Sequence, residues 1–371
     1  MSVTTVRNER GIALVIAMVA LVVIGAIVAG TTYISLIEQR TSTNTTVSSQ
    51  AFQAAEAGVQ EAIVNWDIGW NTMAVGGQTA LTRVNTYGGS YSDRTLSKLN
   101  DNLFLVVSRG TQGNATQSLA AVLRLVIADL DVQAAVTAGG DVRIGGNSTV
   151  QGEDTSPLNW GCTPGATRTG IRSSGDVQPS GGSYTLSGAP PINEFDATVN
   201  DNLFQDPFNE LRERATLTLH AGAYNGMSPV TSGTPARCNT ASSTNWGEPW
   251  RAPAGGRVPE CQTYAPIILA TGSIHVQNGR GQGILLVDGD LEIRGNFEFT
   301  GLVIVLGEVR TNGTGSKITG GLLANQISLA DESSFLGNPT VAFSECALAY
   351  VLNATALARP VRGRSFAYSY N

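Results

Sequence analysis

Ile284-Leu285-Leu286-Val287-Asp288-Gly289-Asp290-Leu291-Glu292-Ile293 is the stretch that decides the fold class of this 371-residue chain. Four apolar residues run together, a glycine between two aspartates makes a corner, and apolar and charged residues then alternate. That period of two predicts a strand with Val287, Leu291 and Ile293 inward and Asp288, Asp290 and Glu292 outward. The pattern recurs as Gly272-Ser273-Ile274-His275-Val276, Gly307-Glu308-Val309-Arg310-Thr311 and, more weakly, Asn325-Gln326-Ile327-Ser328-Leu329. With Gly289 included, these copies start 17, 18 and 18 residues apart. Apolar runs precede them: Ile267-Ile268-Leu269, Ile284 to Val287, Leu302-Val303-Ile304-Val305-Leu306 and Leu322-Leu323-Ala324. A further copy, Gly140-Asp141-Val142-Arg143-Ile144, stands far upstream. Such a unit cannot bury its apolar face alone and stacks on its neighbours, so the repeat predicts a single-stranded β-solenoid over 135–345. Stacking at about 4.8 Å per coil would put His275, Glu292 and Arg310 in one outward column.

Between the upstream copy and the others, 152–262 is rich in Gly, Pro, Ser and Thr and holds three of the four cysteines, with one helix expected around Pro207 to Ala215. It reads as an irregular insertion projecting from one face, stapled by disulfides. Its aromatic residues (Trp160, Tyr184, Tyr224, Trp246, Trp250, Tyr264) are either the insertion's own core or contact residues. Cys162, Cys238, Cys261 and Cys346 form an even set suited to two disulfides in an oxidising compartment. Cys238 and Cys261 bracket a Pro/Gly/Trp-rich loop and are the favoured pair, which leaves Cys162 with Cys346; three connectivities remain open. Zinc is disfavoured, since no C-x₂-C spacing exists and the only histidines are His220 and His275.

Upstream of the repeats, Leu103 to Arg109 and Gln117 to Ile127 read as strands of a hairpin turning at Gly110, Gly113 and Asn114. The Gly/Asn/Ser-rich Met73 to Asn102 reads as a loop. Phe52, Ala55, Val59, Ala62, Ile63 and Trp66 recur at three- and four-residue steps and predict one apolar helical stripe. Thr41 to Ser49 is almost wholly Ser, Thr and Asn, which compete with the backbone for hydrogen bonds, so a helix is expected to loosen there.

At the start of the chain, no Asp, Glu, Lys or Arg occurs between Arg10 and Glu38. A spanning helix needs about 20 apolar residues, and Ile12 to Ile34 supplies them. Arg7 and Arg10 precede the span, which keeps 1–11 cytoplasmic and sends the rest outward. Three fates compete: an uncleaved anchor, a signal peptide and a cut at Gly11. The core exceeds the roughly 7–15 residues of a signal peptide, and Ile27-Val28-Ala29-Gly30 is a poor cleavage match.

The stretch Arg10-Gly11-Ile12-Ala13-Leu14-Val15-Ile16-Ala17, a polar spacer, then Ala51-Phe52-Gln53-Ala54-Ala55-Glu56-Ala57-Gly58 resembles the N-terminal region of PilX-type minor pilins of type IV pilus assembly. The resemblance covers about 7–66. It implies processing at Gly11, a mature terminus at Ile12, an apolar packing helix, and other pilins and the membrane as partners. Major pilins carry a glutamate five residues after the cleavage glycine, which is thought to neutralise a neighbour's terminal amine; here that position is Ile16. Resemblance therefore implies a minor, tip or initiation role instead of the repeating subunit.

Net charge is −6, charged residues are only 14%, and Arg359/Arg362/Arg364 is the longest basic run. A nucleic-acid footprint is absent. Asp288/Asp290/Glu292 is the sharpest candidate for catalysis or Ca²⁺ binding, since paired carboxylates can share acid and base roles, but a mixed-charge ladder on a solvated face is the favoured explanation. Asp129 and Asp131 read as a solvated strand end. Gly313-Thr314-Gly315-Ser316-Lys317 lacks the phosphate-loop order, Gly279 to Gly283 is followed by no helix, and no G-x-S-x-G elbow exists. No enzyme, cofactor or metal is expected, and any surface ligand is left open.

The expected class is α+β, mostly β. A transmembrane pilin-like helix over 12–37 precedes a helix and small antiparallel sheet within 38–134. A β-solenoid with the insertion over 152–262 then leads to a C-terminal segment over 346–371. An anchored adhesin or scaffold outside any fibre, and a polysaccharide-active β-helix enzyme, are the alternatives.

Overall fold

The computed structural model describes residues 10–127, 130, 132–179, 183–200, 202–251, 255–313, 315–329, 338–361 and 366–370. Residues 10–13, 202, 328–329 and 366–370 are described by backbone alone. Arg7, Asp129, Asp131, Thr314, Arg362 and Arg364 lie outside the described residues. Two compact units emerge: one from the described parts of Met1–Asn65, Val75–Arg124 and Pro360–Asn371, the other from Trp66–Ala74 and Leu125–Arg359.

The first unit is built on one helix, α1 (Arg10–Val64). It does not loosen at the Ser/Thr/Asn tract. Thr43, Thr45 and Thr46 hydroxyls instead donate to the carbonyls of Gln39, Thr41 and Ser42 at 2.8–2.9 Å, one turn back. Competition for backbone acceptors is settled within the helix.

Against the far end of α1 lies an antiparallel meander of β1 (Gln78–Asn85), β2 (Tyr91–Asn100), β3 (Leu103–Gln112) and β4 (Ala115–Val126). The hairpin forms, but β3 runs on to Gln112 opposite Ala115, so the turn is Gly113-Asn114 alone and Gly110 lies within the strand, opposite Gln117. The loop expected over 73–102 is instead two strands. Their period was hidden because the buried positions of β2 are Ser92, Arg94, Leu96 and Lys98, three of them polar. Arg94 reaches the Gly58 carbonyl at 3.4 Å and the Thr82 carbonyl through Nε at 3.2 Å, which satisfies an otherwise costly burial.

In the second unit, parallel strands carry the repeat. Ile267 pairs with Ile284, Ile284 with Leu302 and Val303 with Leu322, steps of 17, 18 and 19 residues. The extra residue is absorbed where the register slips between Val305 and Glu308. Val287, Leu291 and Ile293 are buried. Ile284–Val287 and Leu302–Val305 are at most 1% exposed at every position, the mark of strands covered on both faces. Phe204, Phe208 and Leu211 of α2 (Asn202–Arg212), with Leu348 and Val351 of α3 (Glu345–Ala354), join this core.

The upstream copy does not neighbour the 272 copy. Val142 pairs with Ile327 and Val136 with Leu322, so 134–144 sits beside the strand Lys317–Leu329. Thr169–Ser173 and Ile192–Asn193 extend the ladder beyond it. Leu217–Leu219 starts again at the opposite edge, against Ile268 to Ala270. Short pieces of 152–262 therefore join the sheet, at 169–173, 177–179, 184–187, 192–193, 217–219 and 222–227, while most of the segment remains non-strand. Thr169–Ser173 and Val177–Pro179 carry so few apolar residues (Ile171 in one, Val177 in the other) that backbone pairing, not hydrophobic pattern, defines them.

Trp66 belongs to this unit and not to the α1 stripe, which closes at Ala62. Its Nε1 donates to Asn71 Oδ1 at 2.8 Å. Asn71 Nδ2 in turn donates to the carbonyls of Asn353, Ala354 and Ala356 at the end of α3. That contact occupies acceptors a helix terminus leaves open. The 346–371 segment is accordingly divided, its α3 part in the second unit and Pro360 onward in the first.

Candidate functional site

Three features bear on function, and the first is α1. Gly11 and Ile12 lie in its first turn, described by backbone alone. Beyond them the helix is long and apolar enough to cross a membrane. Its large apolar side chains from Leu14 to Ile37 are all exposed: Leu14 by 63%, Ile16 by 63%, Val22 by 71%. The polar atoms inside this run are satisfied locally, with Thr31 and Thr32 hydroxyls on the Val28 carbonyl at 3.0 and 2.9 Å. Water gains nothing from such a surface, so it seeks lipid or other apolar helices.

Further along α1, Ala51, Ala54, Ala55, Gly58, Val59 and Ala62 are buried while Gln53 and Glu56 stay exposed. Small residues are needed because helix and sheet approach closely. A Cβ added at Gly110 on β3 would lie 2.0 Å from the Ala51 carbonyl oxygen. One added at Gly58 would lie 2.3 and 2.4 Å from the Ser108 and Ser92 hydroxyls. The F-Q-A-A-E-A block is thus the helix's docking face on its own sheet.

The outward charges form the second feature. His275 and Glu292 are register partners and pair through Nδ1 and Oε2. Arg294 grips Glu292 with two hydrogen bonds of 2.7 and 2.8 Å, and Asn312 adds a third at 2.6 Å. Chiefly the Arg294 hydrogen bond, against some desolvation, holds the Glu292 carboxyl down at about 2. Asp290 Oδ1 accepts the backbone N–H of Glu308 at 2.9 Å, Asp288 faces Arg212 at 3.5 Å, and Arg310 turns to Glu308. These outward carboxylates are thus engaged by neighbouring cations, His275 or backbone N–H groups.

A third feature was not visible in the sequence. Glu248 is fully buried, and its carboxylate accepts two hydrogen bonds from Arg280 at 2.9 Å and the backbone N–H groups of Trp250 and Val258 at 3.0 and 2.7 Å. Arg280 stacks over the Trp250 ring at 4.0 Å, and Trp250 Nε1 donates to Glu298 at 2.8 Å. Arg251 lies over Trp160 at 4.3 Å and near Tyr350 at 5.7 Å. Four hydrogen bonds make burial of the Glu248–Arg280 pair tolerable. The only hint in the chain is a pair of opposite charges amid aromatics in Trp246-Gly247-Glu248-Pro249-Trp250-Arg251. Trp246 itself is core, edge-on to Phe297 and Phe299.

The cysteines staple this region. Cys238 is bonded to Cys261 and Cys162 to Cys346, at the start of α3. Among the described residues, no group of three or more His, Cys, Asp or Glu is placed to hold a metal.

Comparison with known proteins adds the following. Residues 10–60 match the family model "PilX N-terminal". No curated protein matches the chain. Among solved structures, the competence-associated pilin ComZ from Thermus thermophilus aligns over 87% of this chain and 98% of its own, at 14% identity and a TM-score of 0.27, a likeness too slight to argue from. The matched segment begins at the first residue of α1 and ends within its small-residue docking face, so the N-terminal region of this protein is a PilX-type, pilin-like one.

Proposed function

We propose that the protein is a minor pilin-like structural component of a type IV pilus or a related assembly, acting at its tip or in initiation. The observation that carries this reading is the exposed apolar run of α1 within a PilX-type region, with Ile16 where a repeating subunit would hold a carboxylate. Without that group a neighbour's terminal amine would enter the apolar bundle unpaired, at a cost of several kcal/mol. Such a chain suits a position with few pilin neighbours. The parallel ladder, with steps of 17 to 19 residues, supports reading the large unit as a β-solenoid. A head of that size is hard to repeat along a closely packed fibre. The N-terminus lies in the cytoplasm and the disulfide-bearing unit outside it, consistent with Arg7 and Arg10 ahead of the span and with two disulfides. The role is structural and not enzymatic: a general acid needs a raised pKa, and Glu292 is driven the other way.

The test is the mass of the mature N-terminus in membrane and sheared-surface fractions of the native host. A chain beginning at Ile12 in the sheared fraction is the expected result. An intact Met1 confined to the membrane would replace this reading with a plain anchored scaffold.

A further inference from the structure

Within the second unit, a cleft of about 280 Å³ opens between the Trp250 loop and the strands below it. Pro157, Leu158, Pro249 and Trp250 form its walls; Glu298, Thr300, Lys317 and Thr319 line its floor. We propose that this cleft binds a neutral saccharide, one or two pyranose rings deep.

The wall is fixed before any ligand arrives. Trp250 is held through its Nε1–H by Glu298, through its ring by Arg280, and through its backbone by the buried Glu248. A preorganised aromatic wall loses little freedom on binding. Its apolar surface, with the exposed Leu158, matches the C–H face of a sugar ring.

The floor supplies the matching polarity. Glu298 and Lys317 are direct register partners, as are Thr300 and Thr319. Among the described residues, neither threonine hydroxyl nor the Lys317 ammonium has a hydrogen-bond partner, and neither hydroxyl is sealed from solvent. One carboxylate, one ammonium and two hydroxyls give donors and acceptors side by side with no net charge. Vicinal hydroxyls, each able to donate and accept, answer that pattern; a polyanion or polycation does not.

An extended peptide is disfavoured on separate grounds. Strand addition needs a free edge, and the floor strands are paired on both sides, Glu298 with Arg280 and Lys317, and Lys317 with Thr340. The volume falls just below the roughly 300–1,000 Å³ that encloses drug-sized ligands, which suits a short saccharide or one segment of a longer one crossing an open cleft.

The experiment uses the full chain in lipid nanodiscs free of glycolipid. Cellobiose, chitobiose, maltose and mannobiose are titrated by tryptophan fluorescence, with a DNA oligonucleotide and an acidic peptide as competing probes. At least one disaccharide is expected to bind with Kd at or below about 1 mM. Lys317→Ala and Thr319→Val should each weaken it by about tenfold or more, with the thermal midpoint unchanged. These are the deciding variants, because Trp250→Ala also removes the indole that ties the loop to the strand. Binding of no disaccharide, binding indifferent to both variants, or capture of the DNA or peptide at this cleft in place of sugar would each overturn the proposal. The outcome is independent of how the N-terminus is processed.

Discussion

Ile12 to Ile37 and the apolar runs that open and close Ile284 to Val305 are among the most apolar stretches of the chain, yet their described side chains meet opposite fates. Val22 in the first is 71% exposed; Val303 in the second is 1% exposed. The first is an uninterrupted run of about 26 residues, enough for many helical turns that satisfy their own backbone. The second is broken by Gly289, Gly295 and Gly301, all at positive φ. Short extended pieces cannot pair internally and must find neighbours. Apolar content thus says only that a surface will be covered. Run length and glycine punctuation decide whether the cover is the chain itself or something outside it.

The strongest way to break this comparison is to place the same charge in both runs. Val303→Asp is expected to leave no folded second unit. Burying an unpaired carboxylate costs several kcal/mol against a total stability of about 5–15 kcal/mol. Val22→Asp should leave circular dichroism and thermal unfolding of the second unit unchanged while reducing membrane retention, since Asp at a span's centre costs about 2.5–3.5 kcal/mol. Equal loss of fold in both variants would refute the distinction.

Next in size are the staples that only the second unit has. By the chain-entropy estimate, the Cys162–Cys346 link, 184 residues apart, contributes about 5 kcal/mol, and Cys238–Cys261, 23 apart, about 3 kcal/mol. Cys→Ala pairs followed by denaturant titration should rank in that order.

Smaller still is the close approach within the first unit. Gly110→Ala sets a Cβ against the Ala51 carbonyl, which cannot rotate away, and should cost about 1–3 kcal/mol. Gly58→Ala meets only serine side chains and gains up to about 1 kcal/mol of helix propensity, so it should be the milder of the two by thermal melt.

The smallest effect is electrostatic. The Glu292 carboxyl titrates at about 2, against an ordinary 4.5, mainly because Arg294 hydrogen-bonds it. A depressed folded-state value stabilises above the unfolded value, so the contribution is full above about pH 4.5 and fades as pH falls towards 2. Glu292→Gln should flatten that limb of an acid-unfolding curve; an unchanged curve would show that the column contributes nothing.

The sequence by itself determined the apolar helix, the small-residue block within it, the β3–β4 hairpin and the inward and outward sides of the 284–293 strand. Each is a matter of local periodicity, written within one or two turns or a single strand. Only the tertiary structure decided three other things. One is that 134–144 stacks beside 322–329 instead of beside 272–276, since parallel strands with similar registers are interchangeable until α2 returns the chain to the far edge. Another is that β2 is a strand at all, because Arg94 and Lys98 occupy its buried positions and find partners only on other elements. The last is the Glu248–Arg280–Trp250 wall, whose members lie up to 32 residues apart. Pairing across such separations depends on where the intervening chain is routed, and no local pattern encodes that.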